Sequence, residues 1–303
     1  MTDLTVGLIN NMPDSAFEAT ETQFRTLLTA AAAQPLELRL TGLAEIARGD
    51  AVAARIAQDY WPIEDFLREP PDALIVTGTE PVAADLRDEP YWARFAQLVD
   101  WSSTSGLPSI WSCLAAHAAV LHLSGIERQR LGHKCFGVFE HSVSADHPLT
   151  GNIKAPLATP HSRWNDLPVA KLKQAGYTIV SECQETGANV FAAHRGGATM
   201  VFMQGHPEYQ SETLLKEYRR DIGRFVRGRQ PFYPTLPHGY FSPASLALLE
   251  DFRRRAEAHR GPRIMSNFPE AEVRANLTQP WREGTIQLYR NWLESVEIGK
   301  RGQ

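Results

Sequence analysis

Cys113 is the residue whose setting most favours chemistry. The stretch 108–119 reads P-S-I-W-S-C-L-A-A-H-A-A, a short apolar run that stops at Ser112 and Cys113 before an Ala-rich segment. Strand, tight turn, reactive side chain and helix, in that order, make a nucleophile elbow. A thiol at the first turn of a helix meets unpaired N–H groups and the positive end of the helix dipole, and both favour thiolate. Standing alone, such a cysteine also reads as a small buried apolar residue closing a core strand. Its partners decide between the two. His206 lies in G-H-P-E-Y (205–209), directly after a predicted strand and at a turn fixed by Gly205 and Pro207. Glu208 can point its carboxylate at the same imidazole, fixing the tautomer and leaving the other ring nitrogen to take the thiol proton. An oxyanion hole follows from the same layout: the backbone N–H of Leu114 and one from the loop 78–80, Thr79.

The elements that must hold these groups read as strand–helix alternation. Leu4–Asn10 is a buried strand, Thr20–Leu28 a helix, Leu36–Leu40 a strand, and 51–66 a helical connection broken at Pro62. Ala73–Thr77 is a continuous apolar run ending at Gly78, as expected of a parallel strand covered on both faces. Tyr91–Trp101 is an amphipathic helix and Ser109–Trp111 the strand before the elbow. The alternation predicts a doubly wound, flavodoxin-like α/β sheet whose ligands lie beyond the carboxyl ends of its strands. Residues 10–13, 78–81 and Cys113 all fall at that edge. In the second half, 132–141 reads as a strand or loop, 160–164 (P-H-S-R-W) as a turn, and 177–182, 189–194 and 199–204 as antiparallel strands. Three helices follow: 211–227 with Ser211 as N-cap, 242–259 N-capped by Ser242, and 281–296. No linker divides the chain, so one domain over 1–303 is expected, with 236–303 as a helical C-terminal extension.

Composition narrows the class. The 303 residues are 43% hydrophobic and 22% charged with a formal charge of −4, which argues against a nucleic-acid partner. Cys113, Cys135 and Cys183 are odd in number and widely spaced, which fits neither a disulfide framework nor a metal site and suits a reducing cytoplasm. No apolar run approaches membrane-spanning length, and the N-terminal stretch lacks a signal-peptide pattern.

Ordered stretches then carry a resemblance over nearly the whole chain. They are L-I-N-N-M-P…E-T-Q-F-R-T-L-L (8–28), L-I-V-T-G (74–78), Y-W…W-S (91–102), the Cys113 elbow, L-S-G-I (123–126) and K-C-F-G-V-F-E-H (134–141). They continue with P-H-S-R-W (160–164), G-H-P-E-Y (205–209), T-L-L-K-E-Y-R-R-D (213–221) and W-R-E-G…N-W-L (281–293). The chain resembles the homoserine O-succinyltransferase / O-acetyltransferase family, a branch of the class I glutamine-amidotransferase-like fold. The resemblance implies an acyl-CoA-dependent O-acyltransferase acting on a small hydroxy-amino acid, with homoserine the leading acceptor and serine the runner-up. It implies that Cys113 carries the acyl group as a thioester, with His206 as base and Glu208 as orienter. It places Lys134, Ser162 and Arg220 around the amino-acid acceptor, with Arg163 a further candidate contact. It also implies a homodimer, and no cofactor or metal beyond the acyl-CoA donor itself.

Some positions depart from the family pattern. Asp14 follows Met12-Pro13 where the family has Lys, and Leu114 and His117 follow the elbow where Trp and Gln are usual. His117 has two readings, lining the pocket or packing. Arg220 has two as well, since a helix rich in Lys and Arg can simply present a solvated face. Donor choice in the family rests on the loop after L-I-V-T-G, where Gly admits succinyl and Glu repels its carboxylate. Counting from Gly78 puts uncharged Val82 there, which favours succinyl over acetyl; a shift in alignment would bring Glu80 in and reverse the preference. Three rival classes share parts of this evidence. A glutamine amidotransferase is expected to carry Gly and Gln where Ala115 and His117 stand. A cysteine hydrolase shares the triad but not the acceptor-type cations, and a non-catalytic module requires Cys113, His206 and Glu208 to coincide by chance.

Overall fold

The computed structural model describes residues 4–301, so the ends of the expected domain, 1–3 and 302–303, lie outside the described residues. In chain order the first half comprises β1 (Leu4–Ile9), α1 (Asp14–Ala31), β2 (Leu36–Thr41), α2 (Asp50–Asp59), α3 (Ile63–Arg68), β3 (Ala73–Thr77), α4 (Trp92–Thr104), β4 (Ser109–Ser112) and α5 (Leu114–Ser124). The second half comprises β5 (Gln129–Val143), β6 (Leu157–Asp166), α6 (Val169–Gln174), β7 (Thr178–Cys183), β8 (Gly187–Arg195), β9 (Ala198–Met203), α7 (Thr213–Val226), α8 (Pro243–Ala258), α9 (Glu270–Arg274) and α10 (Arg282–Arg301).

Among the described residues nine strands join one mixed sheet in the order β2-β1-β3-β4-β9-β8-β7-β5-β6. The run from β2 to β9 is parallel, and the strands beyond β9 pair antiparallel. Alternation along the strands sorts their side chains to two faces. Leu74, Val76, Trp111 and Phe202 pack with Phe95 and Leu98 of α4 and the alanines of α5. Their neighbours Ile75, Ile110 and Val201 pack on the opposite face with Phe17 and Phe24 of α1 and Tyr289 and Trp292 of α10. Every side chain of β3 is therefore buried, as its unbroken apolar run requires. A third core joins α7, α8 and the 268–281 region through Tyr218, Phe252 and Trp281. Among the described residues no helix is long and apolar enough to cross a membrane.

Two local expectations are corrected. P-H-S-R-W is not a turn but the middle of β6, paired with 135–138 of β5. Pro160 signals a turn in most contexts, yet β6 is the edge strand, where a residue without an N–H breaks no ladder. Helix α7 starts at Thr213, with Glu212 rather than Ser211 at the N-cap and no side-chain cap bond. Glu212 is instead held by ion pairs to Arg274 and Lys216. Ser242 caps α8 as expected, accepting from the Ser245 N–H.

Candidate active site

The site grows from three adjacent parallel strands, β3, β4 and β9, whose carboxyl ends carry the loop 78–80, Cys113 and His206. Cys113 has φ 51° and ψ −111°, a backbone conformation that a residue with a Cβ rarely adopts. The bend turns the chain from β4 straight into α5, and Cys113 N–H donates to Met203 O at the end of β9 (2.7 Å), pinning the elbow to the strand before His206. The strain is local and is held by the packed strands on either side, the situation in which such conformers persist. Gly78 allows β3 to close on this elbow: a Cβ there would lie 2.4 Å from the Leu114 Cβ and 2.8 Å from the Ala115 N. Thr79 and Leu114, the two expected oxyanion donors, thus sit on segments in van der Waals contact.

His206 is buried, and its Nδ1 donates to Glu208 Oε1 at 2.8 Å. The imidazole also lies within electrostatic reach of Cys113. Burial opposes charge on the ring, but attraction from Cys113 and Glu208 outweighs it and holds the pKa well above the ordinary value. The turn is fixed from behind: His206 N–H donates to Pro160 O (2.7 Å), and Gly205 packs where a Cβ would strike Thr159, Asn189 and His161. Trp281 Nε1 and Gln279 Nε2 both donate to Tyr209 O, tying the start of α10 to the same turn.

Beside this triad lies a cluster of charges. Lys134 Nζ lies 3.5 Å from Glu217 Oε2 and 3.3 Å from Asp221 Oδ2. Ser162 Oγ donates to Glu217 Oε2 (2.5 Å), and Arg220 reaches both Glu217 (3.5 Å) and Asp221 (3.1 Å). The three expected acceptor residues from three distant stretches therefore converge on one carboxylate that sequence reasoning did not single out. A signal for it existed: 217, 220, 221 and 224 recur at the spacing that shares one helix face. Lys134, Glu217 and Asp221 are only 12%, 14% and 13% exposed, so these interactions are weakly screened. Tyr209 joins cluster to triad. Its ring stacks on His206 with centroids 4.4 Å apart, and its hydroxyl donates to Glu217 Oε1 at 2.8 Å.

Comparison with known proteins decides the lineage. The homoserine O-succinyltransferase family model matches residues 1–298. This chain belongs to that family. A homoserine O-succinyltransferase of Bradyrhizobium japonicum is 45% identical over 299 residues, covering 98% of this chain and 91% of that protein. One of Methylorubrum extorquens is 44% identical over 293 residues, covering 97% and 87%. Among solved structures, a glutamine amidotransferase from Thermotoga maritima aligns with TM-score 0.50 at 14% identity over 98% of this chain and 99% of its own. One from Methylobacillus flagellatus aligns with TM-score 0.54 at 13% identity over 97% and 95%. At such identities these neighbours share the fold alone, the class I amidotransferase-like α/β architecture expected from the sequence.

The remaining candidates of the family site fall as follows. His117 packs: it is buried, donates Nε2–H to Gln204 Oε1 (2.8 Å), and burial with nearby Arg163 pushes its pKa down to about 3. Arg163 is also a structural group, 5% exposed, bonded to His161 Nδ1, Asn165 O, Asp166 Oδ1 and Thr186 O. Val82 points outward, 96% exposed, while its N–H and that of Ala83 both donate to the buried Glu89 Oε1 at 2.6 Å. Glu80 is exposed as well. The loop after β3 is therefore shaped through Glu89, a residue the sequence did not single out.

Proposed function

We propose that this protein transfers a succinyl group from succinyl-CoA to the γ-hydroxyl of homoserine, through a thioester on Cys113. The observation that carries the reading is the joining of triad and zwitterion-sized charge cluster by Tyr209. In the first half-reaction the Cys113 thiolate attacks the thioester carbonyl and the oxyanion is held by the Leu114 and Thr79 N–H groups. The intermediate collapses, the C–S bond to CoA breaks, and the CoA sulfur takes the proton from His206. In the second, homoserine enters with its α-carboxylate towards Lys134, Ser162 and Arg220 and its α-ammonium towards Glu217. An amino-acid zwitterion complements a site that mixes both signs, and the guanidinium of Arg220 suits a carboxylate. His206 removes the hydroxyl proton as the oxygen attacks the thioester, and Cys113 leaves as thiolate.

Intact-protein mass spectrometry after brief exposure to each acyl-CoA, without acceptor, tests the scheme. A succinyl adduct is expected on the native protein and none on Cys113→Ala, and homoserine should discharge it to O-succinylhomoserine. An acetyl adduct alone would replace the donor, since exposed Val82 and Glu80 leave that choice to the rest of the loop. Turnover with no adduct would remove the covalent route. Free Cys113, Cys135 and Cys183 support a cytoplasmic setting. We read residues 1–303 as one domain because α10 completes the core built on α1, and take the family's expected homodimer as the assembly to be checked by light scattering.

A further inference from the structure

Arg128 connects α5 to β5 and is half-buried, yet among the described residues it makes no hydrogen bond and no ion pair. It lies in electrostatic reach of Tyr91, Arg130, Glu89 and Asp85, and of His117, one helical turn beyond Cys113. Burial, and then the like charge of Arg130, press against its charge. The nearby carboxylates are already engaged: Glu89 accepts two backbone N–H groups, and Asp85 and Glu127 are paired with Arg87. The Tyr91 hydroxyl is buried without a partner beside the same guanidinium. Two residues on, Arg130 lies 4.5 Å over the ring of Trp164, which is 43% exposed. Arg128 thus stands without an anionic partner beside the segment 85–91, and next to it Arg130 lies over one face of the half-exposed Trp164 indole.

A partly desolvated, unpaired cation is costly to keep unless an anion completes it. Guanidinium groups fit phosphate oxygens, and an exposed indole stacks a purine. We propose that Arg128 and Arg130, with Trp164, form the subsite for the nucleotide end of the acyl-CoA, the arginines taking its phosphates and Trp164 its adenine. This rests on the transferase reading, and it explains how a site with an outward-facing donor loop holds its donor: by the end remote from the reacting carbon.

Rates of Cys113 acylation by succinyl-CoA and by the succinyl thioester of N-acetylcysteamine, which lacks phosphates and adenine, test it. Arg128→Ala should lower the ratio of the two kcat/KM values about tenfold, the scale of one lost charge-assisted hydrogen bond. Arg130→Ala and Trp164→Ala, at exposed positions, should lower the same ratio and serve if Arg128→Ala does not fold. Added salt should weaken use of succinyl-CoA more than use of the truncated thioester. An unchanged ratio in all three variants overturns the subsite while leaving the transferase intact. Failure of the native protein to be acylated by either thioester overturns the transferase reading and the subsite with it.

Discussion

His206 changes its electrostatic company during the proposed cycle. In the free protein Cys113 and Glu208 together hold its pKa well above the ordinary value against burial, so the ring is an imidazolium at neutral pH. Acylation removes the Cys113 contribution and leaves Glu208 alone to support the charge, so the pKa falls just when a neutral base is needed. Discharge to homoserine should therefore rise with pH until His206 is neutral, while Cys113 acylation, in which His206 acts as an acid, should not follow that rise. Single-turnover profiles of the two half-reactions check this; one shared profile would deny His206 its change of role. His206→Asn should slow discharge by about 10²–10⁴-fold. Cys113, His206 and Glu208 were legible because each stands beside a strand end marked by punctuation the backbone needs, an elbow or a Gly-x-Pro turn. Glu217 was not, because its meaning lies in what Lys134, Ser162 and Tyr209 bring to it across 83, 55 and 8 residues of chain. The spacing of 217, 220, 221 and 224 marks a shared helix face but carries no record of those meetings.

At the scale of elements, the junction of β3 with α5 decides whether Thr79 and Leu114, the proposed oxyanion donors, work together. Gly78 is required there by approach: an added methyl would sit inside the Leu114 Cβ and the Ala115 N. Gly78→Ala should push the loop 78–80 away from the helix start and cost about 1–3 kcal/mol of stability from overpacking. Acylation should fall further, by about 10²-fold or more, the scale of one lost oxyanion donor. Thermal unfolding read beside the acylation rate separates the two, since a protein that stays folded at the assay temperature but acylates normally would take Thr79 out of the oxyanion hole. The central strands were readable for the same reason that Gly78 is, since an apolar run covered on both faces has few alternatives. Strand β6 was misread because the turn signal of Pro160 is overridden only by its place at the sheet edge, a property of the assembled sheet.

For the whole molecule, joining a parallel half to an antiparallel half buries histidines that no loop accommodates. Burial, with Arg163 nearby, pushes His117 down to about 3 and holds His161 well below the ordinary value; burial first of all pushes His141 down to about 4. Each is neutral when folded and takes up a proton on unfolding once the pH drops below about 6.5, the unfolded value. The unfolded chain then binds more protons, so stability falls as pH falls, by about 1.4 kcal/mol per pH unit for each histidine. His206 acts in the opposite sense: its raised pKa adds stability that is complete below about 6.5 and lost as pH rises through the folded value. Below about 6.5 His206 is protonated in both states and adds no slope, so the three depressed groups set the acid side, on the order of 4 kcal/mol per unit, large beside a total of about 5–15 kcal/mol. Urea unfolding between pH 6.5 and pH 4.5 should show this limb. His117→Gln, which removes one titrating ring, should flatten it by close to one proton's worth. An unchanged slope would mean that His117 is not a proton acceptor on unfolding and that the acid limb belongs to the carboxylates.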